Sequence, residues 1–271
     1  RSARPSSPSR RERARRASAA GDQVGGGARL STRAALGLAL VLTGRGREGC
    51  GLLLEYADAL DAGLGVTDGD PLAVLALRGL VWAGEAERAE PLLKRRIAAL
   101  RGAGALGHLA MPLSAQVEVE LRAGRWGVLA ERAAEVLALA RETRQGRLVY
   151  TVVRDQATVA AAQGREDECR ELVEEMERLT EASDVASRLG ALSVLGFLEL
   201  SLGRSDRAVA HLEEAAWTAR GVYGLREPNV LRWAPDLVEA CLHAGRPETA
   251  HRELALLARQ ARASAAAWTR A

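Results

Sequence analysis

Lysine, isoleucine, asparagine and phenylalanine each occur once in the 271 residues, as Lys94, Ile97, Asn229 and Phe197. The lysine shortage excludes a phosphate loop of the Walker A kind, which needs G-x-x-x-x-G-K-[ST] so that the lysine reaches the phosphates. Lys94 stands instead in Leu92-Leu93-Lys94-Arg95-Arg96, where it reads as a solvent-facing cation on an amphipathic helix. No serine occupies a G-x-S-x-G elbow, so that route to a nucleophile is closed. Cysteine is scarce too: Cys50, Cys169 and Cys241 are odd in number and far apart, which suits a reducing cytosol better than a disulfide framework. No run of about 18 uncharged apolar residues exists, so no segment reads as a membrane span.

What the chain does have is alanine, glycine, leucine and valine, with hydrophobic residues at 48%, enough to fold as one elongated array or two domains. Arginine takes the place of lysine, the mark of GC-rich codons and of high-GC bacteria such as actinobacteria. The net charge of +3 is uneven, because residues 1–30 carry eight arginines against Glu12 and Asp22. The body that remains is slightly acidic and offers no electrostatic reason to bind nucleic acid along its length. Residues 1–29, with Ser, Pro, Arg and the Gly25-Gly26-Gly27 run, read as a disordered basic tail. The chain opens on Arg1 and closes at Trp268-Thr269-Arg270-Ala271, where residues 265–271 read as the start of a truncated helix, so a segment of a longer protein is expected.

Gly44, Gly84, Gly124, Gly164, Gly203 and Gly245 recur in short turns about every 40 residues, a helical-array period. Seven residues before each glycine stand Gly37, Leu77, Val117, Ala157, Gly196 and Val238; three before stand Val41, Val81, Leu121, Ala161, Leu200 and Leu242. A separation of four puts both sets on one face of a helix, helix A. Five after come Gly49, Ala89, Leu129, Cys169, Ala208 and Ala250, and nine after come Leu53, Leu93, Ala133, Val173, Leu212 and Leu254. These define helix B, with a mostly small residue where two backbones approach. Each glycine fits a left-handed helix C-cap.

The spacing predicts about six antiparallel helix pairs, near 30–62, 71–101, 105–143, 147–182, 185–221 and 229–263, stacked over residues 30–264. Pro91 and Pro112 are expected to kink or restart their helices. Glu227-Pro228 and Ala234-Pro235 mark the way into the last helix A, and Pro247 suits the first turn of the last helix B. Leu195-Gly196, Gly203, Ala208 and Leu212 keep the relative spacing of the tetratricopeptide pattern, and Leu36-Gly37, Gly44, Gly49 and Leu53 repeat it. The period exceeds the tetratricopeptide's by about six residues. The expected fold is therefore an all-α, tetratricopeptide-like α-solenoid with longer helices or connections.

Chemistry is hard to find in this pattern. Cys241, His243 and His251 have zinc-ligand character, but Cys241 and His243 are two apart on one helix and point to opposite sides. Glu166-Asp167-Glu168, followed by Glu171, Glu174, Glu175 and Glu177, reads as a solvated helix face favouring the dipole, with Arg170, Glu174 and Arg178 at pairing distance. No catalytic, cofactor or metal residue is expected in the chain. Arrays of this kind bind through the concave face of their A helices. Six and two residues before the glycine, that face would carry Arg78, Glu118, Phe197 and Glu239, then Trp82, Arg122, Ser201 and His243. Such a lining suits a peptide or partner helix, or serves only to pack the next repeat.

Gly164-Arg165-Glu166-Asp167-Glu168-Cys169-Arg170, Leu195-Gly196-Phe197-Leu198-Glu199-Leu200-Ser201-Leu202-Gly203-Arg204, Glu227-Pro228-Asn229 and Trp233-Ala234-Pro235-Asp236-Leu237-Val238-Glu239-Ala240 together carry a resemblance. The chain resembles the middle region of the large ATP-binding regulators of the LuxR family, most clearly from about Arg122 to Gly245 and thinly before Ala62. Those bacterial transcription factors join a nucleotide-binding ATPase, a tetratricopeptide-like middle and a C-terminal helix-turn-helix. The resemblance implies a cytoplasmic sensor segment that takes a protein, peptide or small effector in its groove and couples it to transcription, self-association included. ATP and DNA are implied only for domains that these residues do not contain, and no membrane partner is implied. A stand-alone scaffold binding a peptide or protein partner is the alternative.

Overall fold

The turn glycines end their helices by one repeated pair of hydrogen bonds. In the computed structural model, which describes residues 10–64, 71–179 and 185–266, the Gly44 N–H donates to Val41 O at 3.1 Å and the Arg45 N–H to Leu40 O at 2.8 Å. The same two bonds close the helices before Gly84, Gly124, Gly164, Gly203 and Gly245, and all six glycines have positive φ. This is the pairing that satisfies orphan carbonyls when the residue past the cap turns left-handed.

Twelve α-helices result among the described residues. They form six antiparallel pairs: α1 (Arg10–Leu42) with α2 (Gly46–Asp61), α3 (Pro71–Trp82) with α4 (Ala86–Gly102), and α5 (Leu106–Arg122) with α6 (Trp126–Glu142). α7 (Gly146–Ala162) follows with α8 (Glu166–Arg178), α9 (Val185–Ser201) with α10 (Ser205–Trp217), and α11 (Trp233–His243) with α12 (Pro247–Ala263). A single π turn, Thr218–Val222, continues α10. No helix among the described residues is long and apolar enough to cross a membrane. Each odd-numbered helix packs on the next odd-numbered one along the whole array, whereas neighbouring even-numbered helices meet mainly at α2 and α4. The A helices therefore make the inner, concave layer, and the B helices splay outward.

The apolar offsets become the core. Leu53, Leu93, Ala133 and Leu212 are fully buried and Val173 nearly so, each between its own pair and the next. A β-carbon on Gly37 would stand 2.9 Å from Gly49 O, and one on Gly49 would stand 2.8 Å from Val41 N, so both glycines let α1 and α2 touch backbone to backbone. The last pair departs from the rule: Leu242 and Leu254 are 55% and 51% exposed, because no seventh pair follows among the described residues to cover them.

Several boundaries differ from the sequence expectation. Of the expected tail, residues 1–9 lie outside the described residues, while 10–29 belong to α1, where alanine and arginine are strong helix formers. Pro91 and Pro112 neither end nor restart a helix, for α4 and α5 run through both. The last A helix starts at Trp233 and not near 229, with Pro235 in its first turn. After α12 the backbone turns extended at Ser264, and Ala265 and Ala266 carry no helix; residues 267–271 lie outside the described residues.

Candidate functional site

The concave face is crossed by the protein's own chain. Between the π turn and α11, residues 223–232 leave the last repeats and reach the first three pairs. There the Arg226 N–H donates to Leu42 O at 2.9 Å, and Asn229 Nδ2 donates to Trp82 O at 2.7 Å. These acceptors are the final helical residues of α1 and α3, whose carbonyls need partners from outside the helix. Ser264 Oγ donates to Glu227 Oε1 at 2.9 Å. Ala266 sits against Gly84, where a β-carbon would come within 2.8 Å of Ala266 Cα. The two ends of the array are thus latched to each other.

A network around Glu118 anchors the crossing. Trp82 Nε1 donates to Glu118 Oε1 at 2.7 Å, Arg78 Nε lies 2.9 Å from Oε2, and Arg122 Nη2 donates to Oε1 at 2.8 Å. Arg122 also donates to Asn229 O at 2.7 Å and to Asn229 Oδ1 at 2.8 Å. Burial alone would raise the Glu118 carboxyl, but the guanidinium fields of Arg122, Arg78 and Arg154 outweigh it and hold the group at about 2. It is an ionised carboxylate that ties α3, α5 and the crossing segment together.

Under the crossing lies a cavity of about 290 Å³. Its floor comes from α5, α7 and α9, and its far wall from Val230 to Asp236. Leu121, Trp126, Val194, Phe197, Leu231 and Trp233 give it an apolar side. Trp233 is fixed by the Arg220 guanidinium, 4.8 Å above its ring, with Arg220 in turn held by Glu253. The polar side holds Glu118, Arg122, Arg154, Asp155, Arg232 and Asp236. Asp155 is completely buried; its Oδ1 accepts from Arg154 Nη2 at 2.7 Å and Nε at 3.1 Å. Its Oδ2 is buried without a hydrogen-bond partner. Burial, with Glu118 nearby, raises Asp155 against the pull of Arg154. Burial pushes Asp236 up to about 7, more than Arg232 offsets, and burial followed by repulsion from Arg122 lowers Arg232.

The eight groove residues expected from sequence divide into three groups. Glu118, Arg122 and Phe197 line the cavity. Arg78 and Trp82 lie just beyond it, committed to Glu118. Ser201, Glu239 and His243 are exposed and outside it; Ser201 Oγ donates to Phe197 O, and His243 lies 3.6 Å from Glu239 on the surface of α11. The same offsets in the fourth repeat reach Thr158 and Ala162, which do line the cavity. Asp155 and Arg154 lie one turn earlier on that face, and their signal was a charged pair inside the apolar run Val152-Val153-Arg154-Asp155-Gln156-Ala157. Asn229 had no local signal beyond being the single asparagine.

Other candidates carry structure. Glu166 accepts from Arg204 at 2.6 Å and Arg170 at 2.8 Å, and these two hold it at about 2. Lys94 pairs with Glu90 at 2.8 Å. All three cysteines are buried and free, and burial pushes the Cys50 and Cys169 thiols to about 11, so neither is a thiolate at neutral pH. Cys241 is buried while His243 is exposed, and no metal-holding group of His, Cys, Asp and Glu occurs among the described residues.

No family model and no curated protein sequence matches the chain. Its chemistry has to be read from the cavity itself.

Proposed function

We propose that this chain is the effector-receiving, helical-repeat segment of a bacterial transcription regulator similar to the LuxR-type ATP-binding regulators, acting in the cytoplasm and catalysing nothing itself. The observation that carries this reading is the cavity on the concave face. At about 290 Å³ it has the size and the mixed apolar and polar lining of a small-molecule site, and the residues an extended peptide would need are engaged within the chain. Its far wall continues into the Asn229 latch, so an occupant of the cavity would bear on the contact between the first and last repeats. That supplies a physical route from effector to neighbouring domains.

One observation favours the alternative, a scaffold for a peptide or protein: Leu242 and Leu254 are exposed together on the last pair, an apolar surface suited to protein contact.

The test reads the coding frame outward from both ends and then blocks the cavity with Ser193→Trp in the full-length product. A frame that joins this chain to a Walker A loop upstream and a helix-turn-helix downstream, with promoter occupancy altered by the blocked cavity, supports the regulator. A frame lacking both domains overturns it.

A further inference from the structure

The turn that seats Asn229 is complete within four residues. Glu227 O accepts from the Val230 N–H at 3.3 Å, closing a β-turn with Pro228 and Asn229 at its centre, and proline at the first central position sets the backbone in advance. The Asn229 N–H also donates to Glu227 Oε1 at 3.2 Å. Other elements build the pocket that receives this turn. Asn229 Nδ2 donates to Trp82 O, the final carbonyl of α3, at 2.7 Å and to Val81 O at 3.4 Å. Arg122 of α5 supplies the opposite polarity, donating to Asn229 Oδ1 at 2.8 Å and to Asn229 O at 2.7 Å. Its guanidinium is aimed by Glu118, which Trp82 and Arg78 hold in turn, so α3 and α5 position the receiving groups by themselves. Both ends of one side-chain amide are read, on a residue only 4% exposed. Aspartate there would set a carboxylate oxygen against two carbonyls, and alanine would leave Arg122 short of an acceptor. The turn in place is also an imperfect occupant. Glu227 is buried, and its Oε2 has no hydrogen-bond partner among the described residues, which costs the closed form part of what its bonds return.

We propose that the pocket between the end of α3 and Arg122 is a recognition site for a Pro-Asn β-turn presented by a partner protein, and that residues 227–230 are the resident copy that the partner displaces. A four-residue turn with its own internal hydrogen bond can be supplied by another chain, and the groups that read it stay in place when it leaves. Displacement frees Arg226 from Leu42 O and parts the first repeats from the last. The site stands whether or not the cavity beside it takes a small molecule.

The test is fluorescence anisotropy with a labelled peptide of residues 223–232, Tyr-Gly-Leu-Arg-Glu-Pro-Asn-Val-Leu-Arg, added to the full chain and to its Asn229→Ala variant. The variant should bind the peptide at least about tenfold tighter than the unsubstituted chain, whose resident turn competes at high effective concentration. Replacing the peptide's asparagine by aspartate should weaken binding to the variant by at least about tenfold, because the donor to Trp82 O is lost and repulsion takes its place. Circular dichroism checks that the variant keeps its helices. Should it fold poorly, amide exchange at Arg226 of the unsubstituted chain is followed under millimolar peptide, and is expected to accelerate as the resident turn is displaced. No binding to a folded variant, equal binding of the asparagine and aspartate peptides, or, where the variant is unfolded, exchange at Arg226 unchanged by the peptide would overturn the proposal.

Discussion

Arg144 is the single residue other than glycine with positive φ among the described residues, at φ 55. It closes α6 by the bonds the glycines use elsewhere, its N–H donating to Arg141 O and the Gln145 N–H to Ala140 O. A β-carbon in that conformation costs about 1 kcal/mol, so Arg144→Gly should raise the melting temperature by roughly 2–4 °C, measured by calorimetry. Asp236 gives a pH signature. Its folded pKa of about 7 lies above the ordinary value of 3.8, so the folded state binds the extra proton. Stability from this group is full below about pH 4 and falls as pH rises through 7. Asp236→Asn should therefore stabilise the chain by about 1–2 kcal/mol at pH 8 and by close to nothing at pH 4, read from denaturation midpoints at both values. Glu118 acts oppositely: held at about 2, it contributes above the ordinary carboxylate range and its contribution disappears as pH falls through 2.

Helix pairs depend on small residues placed against large ones. A β-carbon on Gly196 would run into the side chain of Leu212, which is fully buried between α9 and α10. Gly196→Ala should cost about 1–3 kcal/mol by overpacking and Leu212→Ala about 2–5 kcal/mol by cavity formation. Together they should cost less than their sum, because the added methyl enters the vacated space; a double-mutant cycle in urea measures this. Elements of this kind were legible in the sequence. The glycine period, the small residue of helix B and the apolar offsets are local rules, and they located all six pairs. Pro91 and Pro112 do not restart their helices, since α4 and α5 continue through both. The missed parts of the site are non-local: Asn229 meets Trp82 and Arg122 across more than a hundred residues, and no periodicity encodes that. Asp155 was visible as a charge in an apolar run, but its burial follows from how α7 is covered.

At the scale of the whole molecule, the proposed function rests on closure. An open solenoid offers a long groove to a peptide, whereas an array whose ends are joined by residues 223–232 and 264–266 leaves a small, half-open cavity. Asn229→Ala removes the side-chain bonds to Trp82 O and Arg122. It should cost about 1–3 kcal/mol through the polar groups it strands and increase the radius of gyration in solution scattering. The most direct measurement is amide hydrogen exchange at Arg226, whose N–H donates to Leu42 O. A connecting segment lying free on the surface exchanges at the rate of an unstructured peptide. Closure predicts protection of at least about a hundredfold at this amide, reduced by Asn229→Ala. Exchange at the free-peptide rate in the unsubstituted chain would contradict it and return the concave face to an open groove.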